Sequence, residues 1–291
     1  MYVININKFK MDLLKLYYSN IPTINKAKDD YEKLRSLKVD KNIHSIIGNR
    51  ATDKFFFRER AKTKIKNRKS HHDFLKDKSN YDKVKNIIKA LKYDEINKRS
   101  VSSAVRMNLG SVNQFRPSTA KYIYSLFNPN TILDFSSGWG GRCLAAMSLD
   151  KNYIGFDTNN KLKKPYNDLI NTYDTKGKIR IIFQDSSKVD FSKYKYDMIF
   201  TSPPYYDLEI YTNMRKYDTF NDFNDTFYHP VVSNSFKYLS KDGWCCLNIP
   251  KDLYNETKKI LGKENKRLKY LINNRFNDGK QRYEYIYCWK K

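Results

Sequence analysis

The residues best suited to chemistry are Ser202-Pro203-Pro204-Tyr205, which follow Thr201 and the apolar run 196–200. Pro203 lacks an N–H, and Pro204 restricts the residue before it to an extended conformation, so a buried strand cannot continue here. A rigid turn at the carboxyl end of a parallel strand holds a hydroxyl, backbone carbonyls and an aromatic ring where open α/β sheets bind ligands. The alternative is an ordinary Pro-Pro loop with a surface tyrosine.

Upstream, three acidic residues lie at the ends of apolar runs. Asp134 belongs to the run 131–135, which leads into the glycine-rich turn 136–141, and Asp157 and Asp185 end the next two predicted strands. Glycines let backbone approach a ligand closely, and an acid about 20 residues further on can accept hydrogen bonds from ribose hydroxyls. Asp157 lies 23 residues after Asp134, and Asp185 is placed to accept from an adenine amino group. The pattern predicts a nucleoside-binding cleft.

A dinucleotide-binding turn of the G-x-G-x-x-G type is the competing interpretation of the same glycines. Gly138 and Gly140 are followed by Cys143 where the third glycine belongs. We therefore discount it.

The elements that must position these residues alternate between strands and helices from about residue 117 onward. We predict strands at 131–135, 153–156, 178–183, 196–201 and 243–249, helices at 142–149, 162–173 and 220–240, and two final strands within 269–289 joined through 277–279. This order indicates a mostly parallel sheet covered on both faces. Residues 1–115 are poor in glycine, and their apolar spacing predicts helices at about 8–19, 23–38, 52–67 and 80–98, with Thr52 and Asn80 as N-caps.

Two motifs resemble those of the S-adenosylmethionine-dependent methyltransferases that modify exocyclic amines in DNA. The sequence 134–140 is similar to that family's D-P-F-x-G-x-G motif, and Ser202-Pro203-Pro204-Tyr205 matches its [DNS]-P-P-[YFW] motif, 68 residues after Asp134. The segment Phe115-Arg116-Pro117-Ser118 is similar to the one that covers the methionine end of the cofactor. The resemblance covers about residues 113–291.

The resemblance implies a Rossmann-like, seven-stranded class I methyltransferase sheet with S-adenosylmethionine as cofactor. It places the cofactor contacts at Asp134, Ser136, Gly138, Gly140, Asp157, Asp185, Phe115 and Pro117. Ser136 departs from the phenylalanine usual at its position. We divide the chain into a basic helical nucleic-acid-binding region, 1–115, and a methyltransferase domain, 116–291.

The same resemblance implies methyl transfer to a base amine, with Ser202 and the Pro203 carbonyl accepting hydrogen bonds from the amine and Tyr205 stacking on the extruded base. Pro204 belongs to the same catalytic motif. Cytosine N4 in DNA is favoured over adenine N6. A base amine in RNA, or a non-catalytic nucleic-acid-binding subunit, are the alternatives. Transfer to cytosine C5 is disfavoured because its cysteine nucleophile usually follows a proline, and the chain has no Pro-Cys pair.

Net charge predicts a polyanionic partner. Lys+Arg number 56 against 31 Asp+Glu, a formal charge of +25, which favours nucleic acid first and an anionic membrane surface second. An AT-rich genome enriches lysine too, but it does not explain the missing acidic residues. We predict DNA, or alternatively RNA, as the partner, with an additional subunit or a dimer also compatible. The predicted nucleic-acid contacts are Arg58, Arg60, Lys62, Lys64, Tyr206 and Arg215.

The remaining patterns concern the environment of the protein. Four cysteines show no CxxC spacing, and the two adjacent ones, Cys245 and Cys246, are predicted to point to opposite faces of a strand. They are interpreted as reduced core thiols of a soluble, intracellular protein without a membrane span. No metal site is predicted, because His71 and His72 are interpreted as solvated.

Overall fold

The computed structural model describes residues 12–40, 45–206, 209–210, 215–272 and 282–291. The central sheet has seven strands in the order β4-β3-β2-β5-β7-β9-β8. They are β2 (Thr131–Asp134), β3 (Asn152–Asp157), β4 (Ile179–Phe183), β5 (Met198–Thr201), β7 (Trp244–Asn248), β8 (Lys266–Ile272) and β9 (Arg282–Lys290). The first five are parallel, whereas β9 is antiparallel to both neighbours. The predicted fold class, a seven-stranded Rossmann-like α/β sheet, is confirmed.

The strands bury alternate residues on the two faces of the sheet, as the two-residue period of a strand requires. Ile132 joins the hydrophobic core on one face and Leu133 the core on the other. Cys246 and Cys245 divide in the same way, which confirms their predicted orientation. All four cysteines are buried and none forms a disulfide. Six helices flank this sheet: α7 (Pro117–Phe127), α8 (Gly141–Ser148), α9 (Lys163–Thr172), α10 (Phe220–Phe223), α11 (His229–Tyr238) and α12 (Lys251–Leu261).

The N-terminal region is helical, as predicted, but its helices begin and end at different residues. They are α1 (Leu13–Tyr18), α2 (Ile24–Ser36), α3 (Asn49–Ala61), α4 (His71–Lys76), α5 (Tyr81–Ala90) and α6 (Lys98–Leu109). Thr52 lies inside α3 rather than capping it, since Gly48 takes the N-cap position. Asn80 does precede α5, but without a side-chain capping bond. Helix α5 ends before the predicted residue 98 because Lys92 adopts a left-handed conformation, φ +57°.

Helices α2 and α3 pack directly on the layer of helices that covers the sheet. Tyr31 stacks on Tyr173 with 4.6 Å between the ring centroids, and Phe56 meets Tyr166 edge-on at 4.8 Å. Both N-terminal rings belong to the same core as Ile132. Helices α1, α4, α5 and α6 instead share a core of their own. The domain boundary at residue 115 stays a prediction.

A second, two-stranded sheet joins the N-terminal region to the segment beyond the Pro-Pro turn. Strand β1 (Lys64–Ile65) pairs antiparallel with β6 (Glu209–Ile210). His71 and His72 are not solvated as predicted, since their rings bond to the hydroxyls of Tyr17 and Tyr18 at 2.9 and 2.7 Å. The predicted hairpin turn at 277–279 lies outside the described residues, although the strands on either side of it pair. Among the described helices none is long and apolar enough to span a membrane.

Candidate active site

A cleft of about 930 Å³ lies between the carboxyl ends of the parallel strands and the N-terminal helices. Its volume is in the range of ligand-binding pockets. From the sheet side it is lined by the turns after β2, β3, β4 and β5 and by the end of β7. From the N-terminal side it is lined by residues of α3, α6 and the segment 111–116. The predicted residues that line it are Phe115, Ser136, Gly138, Asp157, Asp185, Ser202, Pro203, Pro204, Tyr205, Arg60 and Arg215.

The glycine-rich turn after β2 has two left-handed glycines with different surroundings. Gly138, at φ +59°, lines the cleft and donates its N–H to the Asp157 carboxylate at 2.9 Å. Gly140, at φ +76°, does not line the cleft; a Cβ built on it would lie 2.7 Å from the Phe56 ring. The first glycine therefore presents backbone to a ligand, whereas the second lets helix α3 pack against the turn.

Asp134 does not face the cleft, contrary to the predicted cofactor contact. Its carboxylate is fully buried, bonded by Arg142 Nε at 2.6 Å and by the Tyr153 hydroxyl at 2.6 Å. The Arg142 guanidinium also donates to the Ser136 carbonyl. Asp134 thus acts on the site through Arg142, which ties the glycine-rich turn to β2. Pro117 is likewise buried at the start of α7 and does not line the cleft.

Asp157 lies in the cleft wall with its carboxylate fixed by backbone. Besides the bond from Gly138, it accepts the Asn159 N–H at 2.8 Å, which leaves lone pairs on both oxygens for a ligand. Burial raises the pKa of Asp157 to about 6. Nearby, the buried Ser137 hydroxyl has no hydrogen-bond partner among the described residues. A carboxylate with open acceptor positions and an unpartnered hydroxyl fit the ribose and amino acid groups of S-adenosylmethionine.

Asp185 also lines the cleft, after β4, and its carboxylate accepts from the backbone N–H and the hydroxyl of Ser187 at 3.0 and 2.8 Å. Across from it, Phe115 lies under the Arg142 guanidinium, 5.6 Å from the ring centroid. A Cβ built on Gly141 would lie only 2.0 Å from the carbonyl oxygen of Phe115. The segment predicted to cover the cofactor can therefore pack against the start of α8 because Gly141 has no side chain.

The Pro-Pro turn brings a second group of polar atoms to the far end of the cleft. The Ser202 hydroxyl lies 3.4 Å from the Tyr205 hydroxyl and 3.3 Å from Asn248 Oδ1. The Tyr205 hydroxyl donates to the Asn248 carbonyl oxygen at 3.3 Å. The Asn248 amide reaches Glu284 Oε2 at 3.5 Å. The turn after β5 and the strands β7 and β9 thus contribute a hydroxyl, an amide and a carboxylate to one wall.

Most of the predicted nucleic-acid contacts lie away from this cleft. The Arg58 guanidinium covers the Tyr18 ring, 4.7 Å from its centroid, and Lys62 pairs with Glu59. Lys64 lies on β1 and does not line the cleft. All three side chains are exposed, so their role as nucleic-acid contacts stays a prediction.

Arg60 and Arg215 are the two predicted basic residues that reach the cleft. Arg60 pairs with Asp53, and its Nη1 is buried without a partner among the described residues. Arg215 lies over the Tyr217 ring, 5.4 Å from the centroid. Tyr206, at φ +24°, points away and bonds to the Asp218 carbonyl. The loop residues 207–208 and 211–214 lie outside the described residues.

Sequence reasoning missed Asn248 and Glu284. Neither belongs to a recognisable motif, and Glu284 follows the segment 273–281 in a strand interpreted only as part of a terminal hairpin. The one available signal was that Asn248 ends a predicted parallel strand, as Asp134 and Asp157 do.

Comparison with known proteins decides the family. The model of the family described as RNA cap guanine-N2 methyltransferase matches residues 129–289, more than half of the chain. This chain belongs to the RNA cap guanine-N2 methyltransferase family. It is an S-adenosylmethionine-dependent methyltransferase. The expected membership of the DNA amino-methyltransferases is wrong, because the family that matches is described as methylating guanine N2 of the RNA cap.

Solved structures with a similar fold are distant. TrmN from Thermus thermophilus is 14% identical with a TM-score of 0.44, covering 67% of this chain and 66% of that one. NSun6 from Pyrococcus horikoshii, solved with SFG, is 15% identical with a TM-score of 0.44, covering 61% and 52%. A methyltransferase from Agrobacterium tumefaciens is 15% identical with a TM-score of 0.42, covering 62% and 64%. The chain thus spans about two thirds or less of each. No curated protein sequence matches it.

Proposed function

We propose that this methyltransferase transfers the S-adenosylmethionine methyl group to the exocyclic N2 amine of a guanosine in RNA, with a 5′ cap guanosine as the favoured substrate. RNA and the cap are supported by the description of the matching family. Guanine is supported by the observation that carries the proposal, the Glu284 carboxylate beside Ser202 and Asn248 in the cleft wall.

A carboxylate distinguishes guanine from the other amine-bearing bases by hydrogen-bond polarity. Ionised Glu284 only accepts hydrogen bonds. Guanine offers two donors side by side on its Watson–Crick edge, the N1–H and the N2 amine. Adenine N1 and cytosine N3 are acceptors next to their amines, so a carboxylate aimed at that edge repels them. Glu284 therefore favours guanine, which corrects the expected preference for cytosine.

S-adenosylmethionine supplies an electrophilic sulfonium methyl group. Asp157 is the residue that would accept from its ribose hydroxyls and Asp185 from its adenine amine, with Gly138, Ser136 and Phe115 forming the rest of that half of the cleft. Arg142 and Asp134 keep the glycine-rich turn in position.

The guanine N2 lone pair is delocalised into the ring, so the amine must become more tetrahedral before it attacks. Ser202 Oγ and the Pro203 carbonyl accept hydrogen bonds from the two amine hydrogens and localise the lone pair on nitrogen. Tyr205 stacks on the base, and Pro204 fixes the turn that aims these groups. Glu284 accepts a hydrogen bond from guanine N1–H. After the methyl group has moved to N2, Glu284 takes the surplus proton from N2 and passes it to solvent. Positioning and electrostatic stabilisation supply most of the rate.

The test uses isotopically labelled S-adenosylmethionine with three acceptors of one sequence: capped RNA, uncapped RNA and duplex DNA. Each is digested to nucleosides and analysed by mass spectrometry. We expect label in N2-methylguanosine from capped RNA, and none with Ser202→Ala. Label only at internal guanosines would support guanine as the methylated base and exclude the cap as the substrate. Label only in methyladenosine, methylcytidine or DNA would refute the proposal.

A further inference from the structure

A second groove continues from the catalytic cleft along the N-terminal helices. It has a volume of about 410 Å³ and lies between the segment 68–69, α4, α5 and the end of α6. Lys69 and Leu109 line both the groove and the cleft, so the two are continuous. We call this feature the basic groove, lined by Arg68, Lys69, Phe74, Lys83 and Leu109.

The charge of the basic groove is positive and mostly uncompensated. Arg68, Lys69 and Lys83 are exposed. Lys69 pairs with Asp77 at 3.2 Å, but both side chains are well exposed, so the pair is weak. Within the described part of the chain, neither Arg68 nor Lys83 forms an ion pair; Lys83 lies over the Phe74 ring, 5.8 Å from its centroid.

The cleft wall that leads into the groove is also cationic. Arg106 on α6 is exposed there, and Arg60 keeps a buried Nη1 without a partner while its other nitrogen pairs with Asp53. His71 is fixed between the Tyr17 hydroxyl and the Gly110 carbonyl, and burial lowers the pKa of its imidazole. The positive charge of this wall therefore comes from arginines, with Arg106 exposed and Arg60 paired with Asp53, and Lys69 joins this wall to the groove.

We infer that the basic groove binds the phosphodiester backbone of the RNA adjoining the methylated guanosine. The inference rests on the proposed function, because that function places the guanosine in the cleft. Guanidinium and ammonium groups suit phosphate oxygens. The one aromatic ring that lines the groove, Phe74, is only 4% exposed, so it offers no face on which a base could stack. The groove holds phosphates and reads no sequence.

The phosphate contacts inferred in the basic groove differ from most of the nucleic-acid contacts predicted from the sequence. Arg58 and Lys62 do not line the basic groove, whereas Arg68 and Lys83 do. Affinity is therefore expected to depend on the length of the RNA as well as on the terminal guanosine.

The test compares the unchanged protein with Arg68→Ala/Lys83→Ala, leaving Lys69 unchanged because it also lines the cleft. The ligands are a capped dinucleotide and a capped RNA of about ten nucleotides. Lys258→Ala/Lys263→Ala is the matched control, since it removes the same charge from exposed positions outside both cavities. Binding is measured by fluorescence anisotropy at several salt concentrations, and methyl transfer to the dinucleotide is measured separately.

We expect the groove variant to lose roughly tenfold in affinity for the longer RNA, with a salt dependence reduced by about 1.4 in log–log slope for two lost phosphate contacts. Affinity for the dinucleotide and its methylation stay within twofold, as in the control. Equal losses for both ligands, or no loss for the longer one, would overturn the inference. So would competition by polyglutamate that is as strong as competition by uncapped RNA. Failure of the unchanged protein to methylate guanosine N2 would refute the proposed function alone, because RNA binding is measured independently.

Discussion

Replacing Glu284 by glutamine tests the reasoning on base choice most directly. The change keeps the shape of the side chain and one acceptor oxygen, but it removes the negative charge and introduces an N–H₂ donor. Glu284 is half-buried in the cleft wall, and its described bond to the Asn248 amide is long, 3.5 Å. The main effect is expected on the substrate, and the free energy of unfolding in urea is measured beside kcat/KM to separate any effect on the fold.

The magnitude follows from the difference between charged and neutral hydrogen bonds. A bond to a charged group contributes about 1.5–3 kcal/mol, and a neutral one about 0.5–1.5 kcal/mol. We take a value near the middle of the difference between these ranges, about 1.4 kcal/mol. This is a factor of about ten in kcat/KM for guanosine N2 methylation.

The assay measures kcat/KM for capped RNA with the unchanged protein, with Glu284→Gln and with Glu95→Gln as the control. Glu95 is exposed and does not line the cleft, so its substitution should leave kcat/KM unchanged. Calorimetry should show the same affinity for S-adenosylmethionine in all three proteins. An unchanged kcat/KM in Glu284→Gln, or an equal loss in the control, would refute the argument that this carboxylate selects guanine.

Three further predictions concern the rest of the site. Ser202→Ala should remove methyl transfer while calorimetry still detects cofactor binding. Loss of both would mean that the motif serves cofactor binding. Because burial raises the pKa of Asp157 to about 6 and its ionised form is the acceptor, cofactor affinity should be full above pH 7 and fall as the pH drops through 6. Asp157→Asn should bind the cofactor about tenfold more weakly, and this affinity should not depend on pH. A cofactor affinity of the unchanged protein that does not vary with pH would contradict this prediction. Arg142→Met should leave the Asp134 charge buried without its cation and lower the free energy of unfolding in urea by about 3–5 kcal/mol, part of which Asp134→Asn should restore; a loss under 1 kcal/mol would contradict the structural role of the pair.

Local patterns predicted the strands and helices of the sheet for a physical reason. The two-residue and 3.6-residue apolar periods are properties of neighbouring residues, so they indicate strands and helices wherever one face is buried. Gly138 could be predicted to need its backbone conformation because the turn follows a strand and precedes a helix. The same reasoning misassigned Gly140, since only packing shows that the Phe56 ring occupies the space beside it.

Basic residues were the least predictable from the sequence. A run of lysines and arginines indicates a polyanionic partner by its sum, but the direction of each side chain depends on what packs beside it. Arg58 covers a tyrosine and Lys62 pairs with a glutamate. Arg68 and Lys83 line a groove because α4, α5 and α6 meet beside them.

The sequence by itself determined the sheet and the cofactor, because each is encoded in short segments whose residues are adjacent in the chain. It did not determine which amine, since Ser202-Pro203-Pro204-Tyr205 can localise the lone pair of any of them. Only the tertiary structure brought Asn248 of β7 into contact with both Glu284 of β9 and Ser202 in the turn after β5. In the proposed function, base selectivity depends on the polarity of groups from neighbouring strands, and the antiparallel pairing of β9 with β7 brings Glu284 near Asn248.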